Sequence, residues 1–170
     1  MAGLARNLLT IALALPRYCS ASPLGTVTSH FHVTPFDTGI ATLKSDRYLQ
    51  LAESAQVDFM VCTGLIGVTL NNGWQFVNAA QLVKFARPIR LFQRVRVDSR
   101  ILYADGKCAY FAHAFLVGGV SHAEVLVKMK FKKGRLTIPP ATVLGSLHPG
   151  PKPEALRRWD ETLDALSVNP

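Results

Sequence analysis

The feature that most constrains this chain is a change of period. Between Ser45 and Phe59 the residues Tyr48, Leu51, Ala52, Ala55 and Phe59 recur every three or four positions, the spacing of one buried helical stripe. Four long strand-like segments then follow with almost nothing between them, at 74–87, 91–103, 107–117 and 120–133. A helix of about 15 to 20 residues is roughly 25 to 30 Å long. Strands of a dozen residues at about 3.3 Å each are longer still, so a curled sheet is able to wrap the helix. The pattern predicts an α+β domain: one long helix against five antiparallel strands.

The punctuation supports this reading. Thr26 to Val33 is rich in β-branched residues and reads as the first strand, stopped by Pro35. Ser45 or Asp46 is the expected cap of the helix, with Gly64 near its end. Leu65 to Leu70 adds a helical turn before Asn72-Gly73. In 91–103, Leu91, Val95, Val97, Ile101 and Tyr103 share one face, and Arg94, Arg96, Asp98 and Arg100 the other. Asp105-Gly106 signals a two-residue hairpin. The next strand, 107–117, is apolar on both faces, as a central strand is. Gly118-Gly119 turns the chain into 120–133, and the last four strands are expected to form a meander. Pro139-Pro140 ends regular structure, and Glu154 to Leu166 reads as a short surface helix.

Three parts result: an N-terminal apolar helix and linker (1–25), the wrapped-helix domain (26–138), and a C-terminal extension with a short helix (139–170). The run Leu4 to Leu15 is too short to span a bilayer. It reads either as a short signal sequence with Ala21 near the cleavage point or, as we expect, as a helix on the domain or on a membrane surface. Net charge is +8 and pI about 9.8, which favours anionic partners. No nucleic-acid motif accompanies the charge, so no nucleic acid is expected. Cys19, Cys62 and Cys108 lack metal or disulfide spacing and read as free thiols, as a cytoplasmic protein would carry.

The chemistry-bearing residues leave alternatives open. Asp37, in the loop after the first strand, suits either a carboxylate beside a helix N-terminus or an Asx-turn. Asp46 suits a cap and Glu53 a solvated helical face. Lys84, Arg87, Arg90 and Arg94 surround the expected second hairpin, as phosphate ligands or as a solvated strand end. Asn78 and Gln81 face a pocket or a subunit seam. His113, on an apolar strand, reads as a core histidine; His30 and His32 alternate without a third metal ligand, so neither metal nor cofactor is expected.

Several ordered pieces resemble the hotdog-fold acyl-CoA thioesterases, in the branch related to 4-hydroxybenzoyl-CoA thioesterase. They are Val33-x-Pro35-x-Asp37, Arg47-Tyr48-Leu49-x-Leu51-Ala52, Thr63-Gly64-Leu65, 80–85, Arg87-Pro88-Ile89 and Pro139-Pro140-Ala141-x-Val143-Leu144. The resemblance implies the hotdog fold, a homodimer or dimer of dimers with sheets joined edge to edge, and an acyl-CoA substrate. It implies a catalytic carboxylate at Asp37, with Asp46 and Glu53 as competing positions. Amides near Gly39, Lys44 and Ser45 would polarise the thioester carbonyl, and Tyr48, Gln81, Arg87 and Arg90 would lie on the substrate side. Relatives commonly carry a second Asp where this chain has Gly39, and a His-x-Asn-Asn run where it has Thr42-Leu43-Lys44-Ser45.

Three functions follow. Acyl-CoA hydrolysis leads. Hydration or dehydration of acyl thioesters pairs a carboxylate with a His, and no His lies within several residues after Asp37, where Thr42 stands instead. A non-catalytic acyl-thioester or lipid-binding protein accounts for the missing His-Asn-Asn element.

Overall fold

The computed structural model describes residues 2–145 and 150–166, with side chains from Arg6 onward. Met1, 146–149 and 167–170, which belong to the two expected extensions, lie outside the described residues. The elements are α1 (Ala2–Ala14), a short 3-10 turn (Leu15–Arg17), β1 (Val27–His32), α2 (Ser45–Cys62) and α3 (Leu65–Asn71). They continue through β2 (Gln75–Phe85), β3 (Arg94–Ala104), β4 (Ala109–Val117), β5 (Val120–Lys133), β6 (Leu136–Ile138), α4 (Pro140–Leu144) and α5 (Glu154–Ala165).

Helix α2 is the axis of the molecule, and its predicted stripe from Tyr48 to Phe59 is buried throughout. Phe59 meets Phe111 of β4 edge-on at 5.2 Å, and Met60, Phe115, Met129 and Phe131 close the space between helix and sheet. Truncating a buried Phe of this kind typically costs about 3 to 5 kcal/mol. Gly64 ends the helix at φ +73°, and a Cβ there would lie 2.4 Å from the Cys19 sulfur. Both backbone and space therefore demand glycine, and α3 leaves at 84° to α2. The start differs from expectation: neither Ser45 nor Asp46 caps it. Lys44 is the N-cap, and no side chain bonds the first turn. The chain is held there by backbone bonds, from the Lys44 N–H to the Asp37 carbonyl and from the Leu43 N–H to the Ile89 carbonyl.

The sheet is antiparallel in the order β1-β3-β4-β5-β2, with β6 added beside β5. Apolar β4 occupies the middle, as its two-faced pattern predicts. The expected four-strand meander is corrected, because only β3-β4-β5 are sequential neighbours. Instead of a hairpin, 86–93 carries the chain from the β2 edge of the sheet across to β3, next to the opposite edge strand β1. Ala86 and Arg87 donate to the His122 carbonyl, Ile89 is buried, and Phe92 takes φ +64°. Backbone bonds from this segment to Val33, Ala41 and His122 hold it across the molecule and not folded back on itself as a hairpin.

Two local corrections follow. The hairpin signalled by Asp105-Gly106 joins β3 to β4 but turns one residue later: the Asp105 N–H bonds the Cys108 carbonyl across Gly106-Lys107, and the Asp105 carboxylate accepts from Lys107 and Cys108 N–H. A bulge between Ile101 and Tyr103 then reverses the alternation. Tyr103 leaves the main core and packs with Cys108, Tyr110, Leu156 and Trp159 under α5. Lys152 bonds the Tyr110 hydroxyl (2.6 Å) and Asp160, while Lys128 bonds Asp160 at 2.8 Å. The C-terminal helix is thus tied to the outer face of the sheet by a charged network over an aromatic base.

Candidate active site

The first turn of α2 opens on a cleft of about 310 Å³ lined by Thr42, Leu43, Ser45, Tyr48, Phe85, Ala86, Arg87 and Pro88. Three of the predicted residues meet there: Ser45, Tyr48 and Arg87. Tyr48 is buried and packs edge-on against Phe85 at 5.0 Å, forming the floor. Burial raises its hydroxyl pKa, partly offset by the Ile89 backbone. Arg87 is exposed at the rim. The early N–H groups of a helix lack intrahelical acceptors and carry the positive end of its dipole. With no side-chain cap, these donors are suited to a carbonyl oxygen or an anion in the cleft.

The three predicted carboxylates do not converge. Asp37 is buried at 1% exposure. Its Oδ1 accepts from Arg6 at 2.5 Å, and its Oδ2 accepts from the Thr34 N–H (3.0 Å) and hydroxyl (2.7 Å). Burial pushes this carboxyl up, but the Arg6 and Thr34 hydrogen bonds outweigh it and hold the group below its ordinary range. Asp46 is exposed and faces Arg47 at 3.6 Å. Glu53, also exposed, accepts from the Asn7 amide at 3.3 Å, beneath α1. No carboxylate lines the cleft among the described residues.

The remaining positions are peripheral to the cleft. Gly39 donates to the Thr42 carbonyl, and a Cβ there would meet nothing nearer than the Lys44 Cε at 3.9 Å. Arg90 lies in the crossover, its N–H bonded to the Gln93 side chain at 2.7 Å. Gln81 is exposed on β2 opposite Val127. With the hairpin absent, Arg87 and Arg90 sit on a crossover rather than around a turn.

A second polar centre escaped the sequence reading. Asp58 of α2, 2% exposed, accepts from Arg17 (2.6 Å) and from the Ser29 hydroxyl (2.5 Å). Cys62, one turn on, lies 3.5 Å from the same carboxylate. Burial, reinforced by Asp58, raises the Cys62 thiol to about 11. A signal was present: Leu51, Ala55, Asp58 and Cys62 continue the buried stripe at intervals of four, three and four. Arg6 and Arg17 were visible only as charges flanking an apolar run.

A long helix wrapped by a curled antiparallel sheet, with a cleft at the helix N-terminus, defines the hotdog class of acyl-thioester proteins. Residues 37–159 match the profile of the thioesterase-like superfamily, and the chain belongs to that family. A hypothetical protein, TT1821, from Thermus thermophilus superposes with TM-score 0.67 at 22% identity, over 74% of this chain and 100% of that one. A probable thioesterase from Bartonella henselae gives TM-score 0.62 at 19% identity, over 68% and 98%. The protein SAV2348 from Staphylococcus aureus, solved in complex with CoA, gives 0.63 at 15% identity, over 80% and 94%.

Proposed function

We propose that this protein hydrolyses an acyl-CoA thioester to a free acid and coenzyme A at the N-terminus of α2. The observation that carries the reading is the uncapped first turn of α2 opening on the Tyr48–Phe85–Arg87 cleft. The thioester carbonyl oxygen accepts from the first-turn amides, which stabilise the negative charge that develops on it. The acyl group lies against Tyr48 and Phe85, and Arg87, with Arg90 further along the crossover, holds coenzyme A phosphates. The attacking carboxylate in this reading is Asp37, whose backbone carbonyl accepts from the Lys44 N–H at the start of the helix and whose depressed pKa keeps it ionised at neutral pH. That state is the one needed to attack the carbonyl and expel the thiolate, leaving an anhydride for water to cleave. Attack requires Arg6 to move off Oδ1 and the side chain to turn from Thr34 into the cleft, which it does not line as it stands. Family membership and the CoA complex of the Staphylococcus aureus neighbour support the substrate class.

A homodimer fits the same reading. Strand β2 ends the sheet, and its Val77, Leu82 and Phe85 are exposed. An unpaired apolar edge of eleven residues invites a second copy, and the joined edge would pass beside the cleft. Light scattering on the purified chain reads its mass.

The second reading, acyl-thioester binding without turnover, is favoured by the absence of a carboxylate from the cleft lining and by the engagement of Asp37 with Arg6 and Thr34. Thiol release from short, long and aromatic acyl-CoAs separates the two. The hydrolase reading expects turnover by the wild type and a fall of about 100-fold in Asp37→Asn at unchanged Tm. Saturable acyl-CoA binding with no thiol release would establish the binding reading instead.

A further inference from the structure

A larger cavity than the α2 cleft lies elsewhere. Helix α1 lies along α2, fastened at one end by Arg6 to Asp37 and at the other by Arg17 to Asp58. Between these ion pairs Asn7 accepts from the Ser54 hydroxyl at 2.7 Å. The helix is thus a strap fixed to α2, and its other flank does not close on β1. The gap is a slot of about 430 Å³, within the usual range for small-molecule sites. No residue lines both this slot and the α2 cleft.

The walls specify a ligand. Leu9 and Leu13 of α1 line the slot while 59% and 68% exposed, opposite the half-buried Phe31 of β1. This apolar surface is left wet, and burying it is favourable. At the other end Arg17 lines the slot together with Asp58, the carboxylate it is paired with. Arg17 uses two of its N–H donors, on Asp58 and the Thr28 carbonyl (3.4 Å), and a guanidinium has five. His30 lines the slot beside it, with Arg96 as its cross-strand partner and Arg94 opposite His32. Burial first, then Arg94, Arg96 and Arg17, lower the His30 pKa, against a smaller opposing effect of Asp98. His30, exposed on β1, thus faces three arginines and Asp98, while Asp58 and Arg6, each already in an ion pair, complete the charged lining of the slot.

We propose that the slot between α1 and β1 is a second ligand site for an aliphatic monocarboxylate, its alkyl chain on Leu9, Leu13 and Phe31 and its carboxylate at Arg17 and His30. This site does not depend on thioester hydrolysis. An anion there favours protonated His30, so the histidine titrates at higher pH when the slot is filled and binding tightens as pH falls.

Calorimetric titration of the full chain with monomeric dodecanoate tests this, with dodecanol as the neutral control. The expected result is one saturable site for dodecanoate, at least about tenfold tighter than dodecanol. Leu9→Gln with Leu13→Gln, both largely solvent-facing, should keep Tm and weaken dodecanoate at least about tenfold. The His30 ring, followed by NMR, should titrate at higher pH in the complex. The proposal is overturned by the absence of a saturable site, by equal binding of dodecanol, or by a double variant that binds as the wild type does. It is equally overturned if Arg87→Gln at the other cleft abolishes dodecanoate binding.

Discussion

At the β2 edge of the sheet, Val77, Leu82 and Phe85 face solvent and the cleft beside them contains no carboxylate among the described residues. At the β1 edge, α1 and the 3-10 turn cover α2, and two buried carboxylates, Asp37 and Asp58, are each bound to an arginine from that N-terminal segment. The first edge is open and short of carboxylates; the second is partly covered and holds two of them, each paired. Burying a carboxylate is expensive unless it is paired. The N-terminal segment therefore acts as the partner that makes Asp37 and Asp58 tolerable inside the fold.

Four outcomes would sharpen or break this contrast, beginning with the largest. The steepest acid sensitivity should arise at neither edge but on central β4, where burial lowers His113 from 6.5 to about 3 and only Ser99 bonds its ring. Above pH 6.5 both folded and unfolded chains hold it neutral, so stability is intact. As pH falls towards 3 only the unfolded chain takes up the proton, and about 4 kcal/mol is lost. Urea unfolding at pH 7 and pH 4 should show this loss shrinking in a Ser99→Ala, His113→Leu variant. Next, Asp58→Ala should cost about 3 kcal/mol, since it strips the Ser29 and Arg17 bonds from a buried site. The same measurement on Asp46→Ala should move by no more than about 0.5 kcal/mol; equal effects would erase the difference between the edges.

Smaller effects concern turnover. At Gly39, which is exposed, there is room for a side chain: a Cβ would meet only the Lys44 Cε, at 3.9 Å, so Gly39→Asp adds a carboxylate that no Arg6 atom approaches at its Cβ. Thiol release should rise about tenfold; a variant no faster than wild type would mean that the cleft does not use a carboxylate at that position. Least of all, Glu53→Gln should leave acyl-CoA turnover within about twofold, because Glu53 is exposed and meets only Asn7.

Much of the fold was legible before any coordinates. The Tyr48-to-Phe59 stripe, the two-faced burial of 107–117 and the Gly118-Gly119 turn are repeated local patterns, and each appears where the residues put it. The meander failed because alternation says which face a residue occupies, not which strand lies beside it. Tyr103 failed because one bulge shifts every later side chain to the other face. At the site, Ser45, Tyr48 and Arg87 come together in the cleft. The Arg6 and Arg17 pairings with Asp37 and Asp58 join residues 31 and 41 positions apart, a relation no spacing rule reports.

By itself, the sequence determined one apolar helix, a set of long alternating strands and the kinship they carry, because periodicity is written into consecutive residues. Only the tertiary structure decided that β2 pairs with β5, that α1 straps α2, and that Asp37 lies engaged under Arg6 rather than free in the cleft. Those outcomes depend on which distant surfaces exclude water together and on which buried charge finds its opposite. That competition is resolved across the whole chain at once.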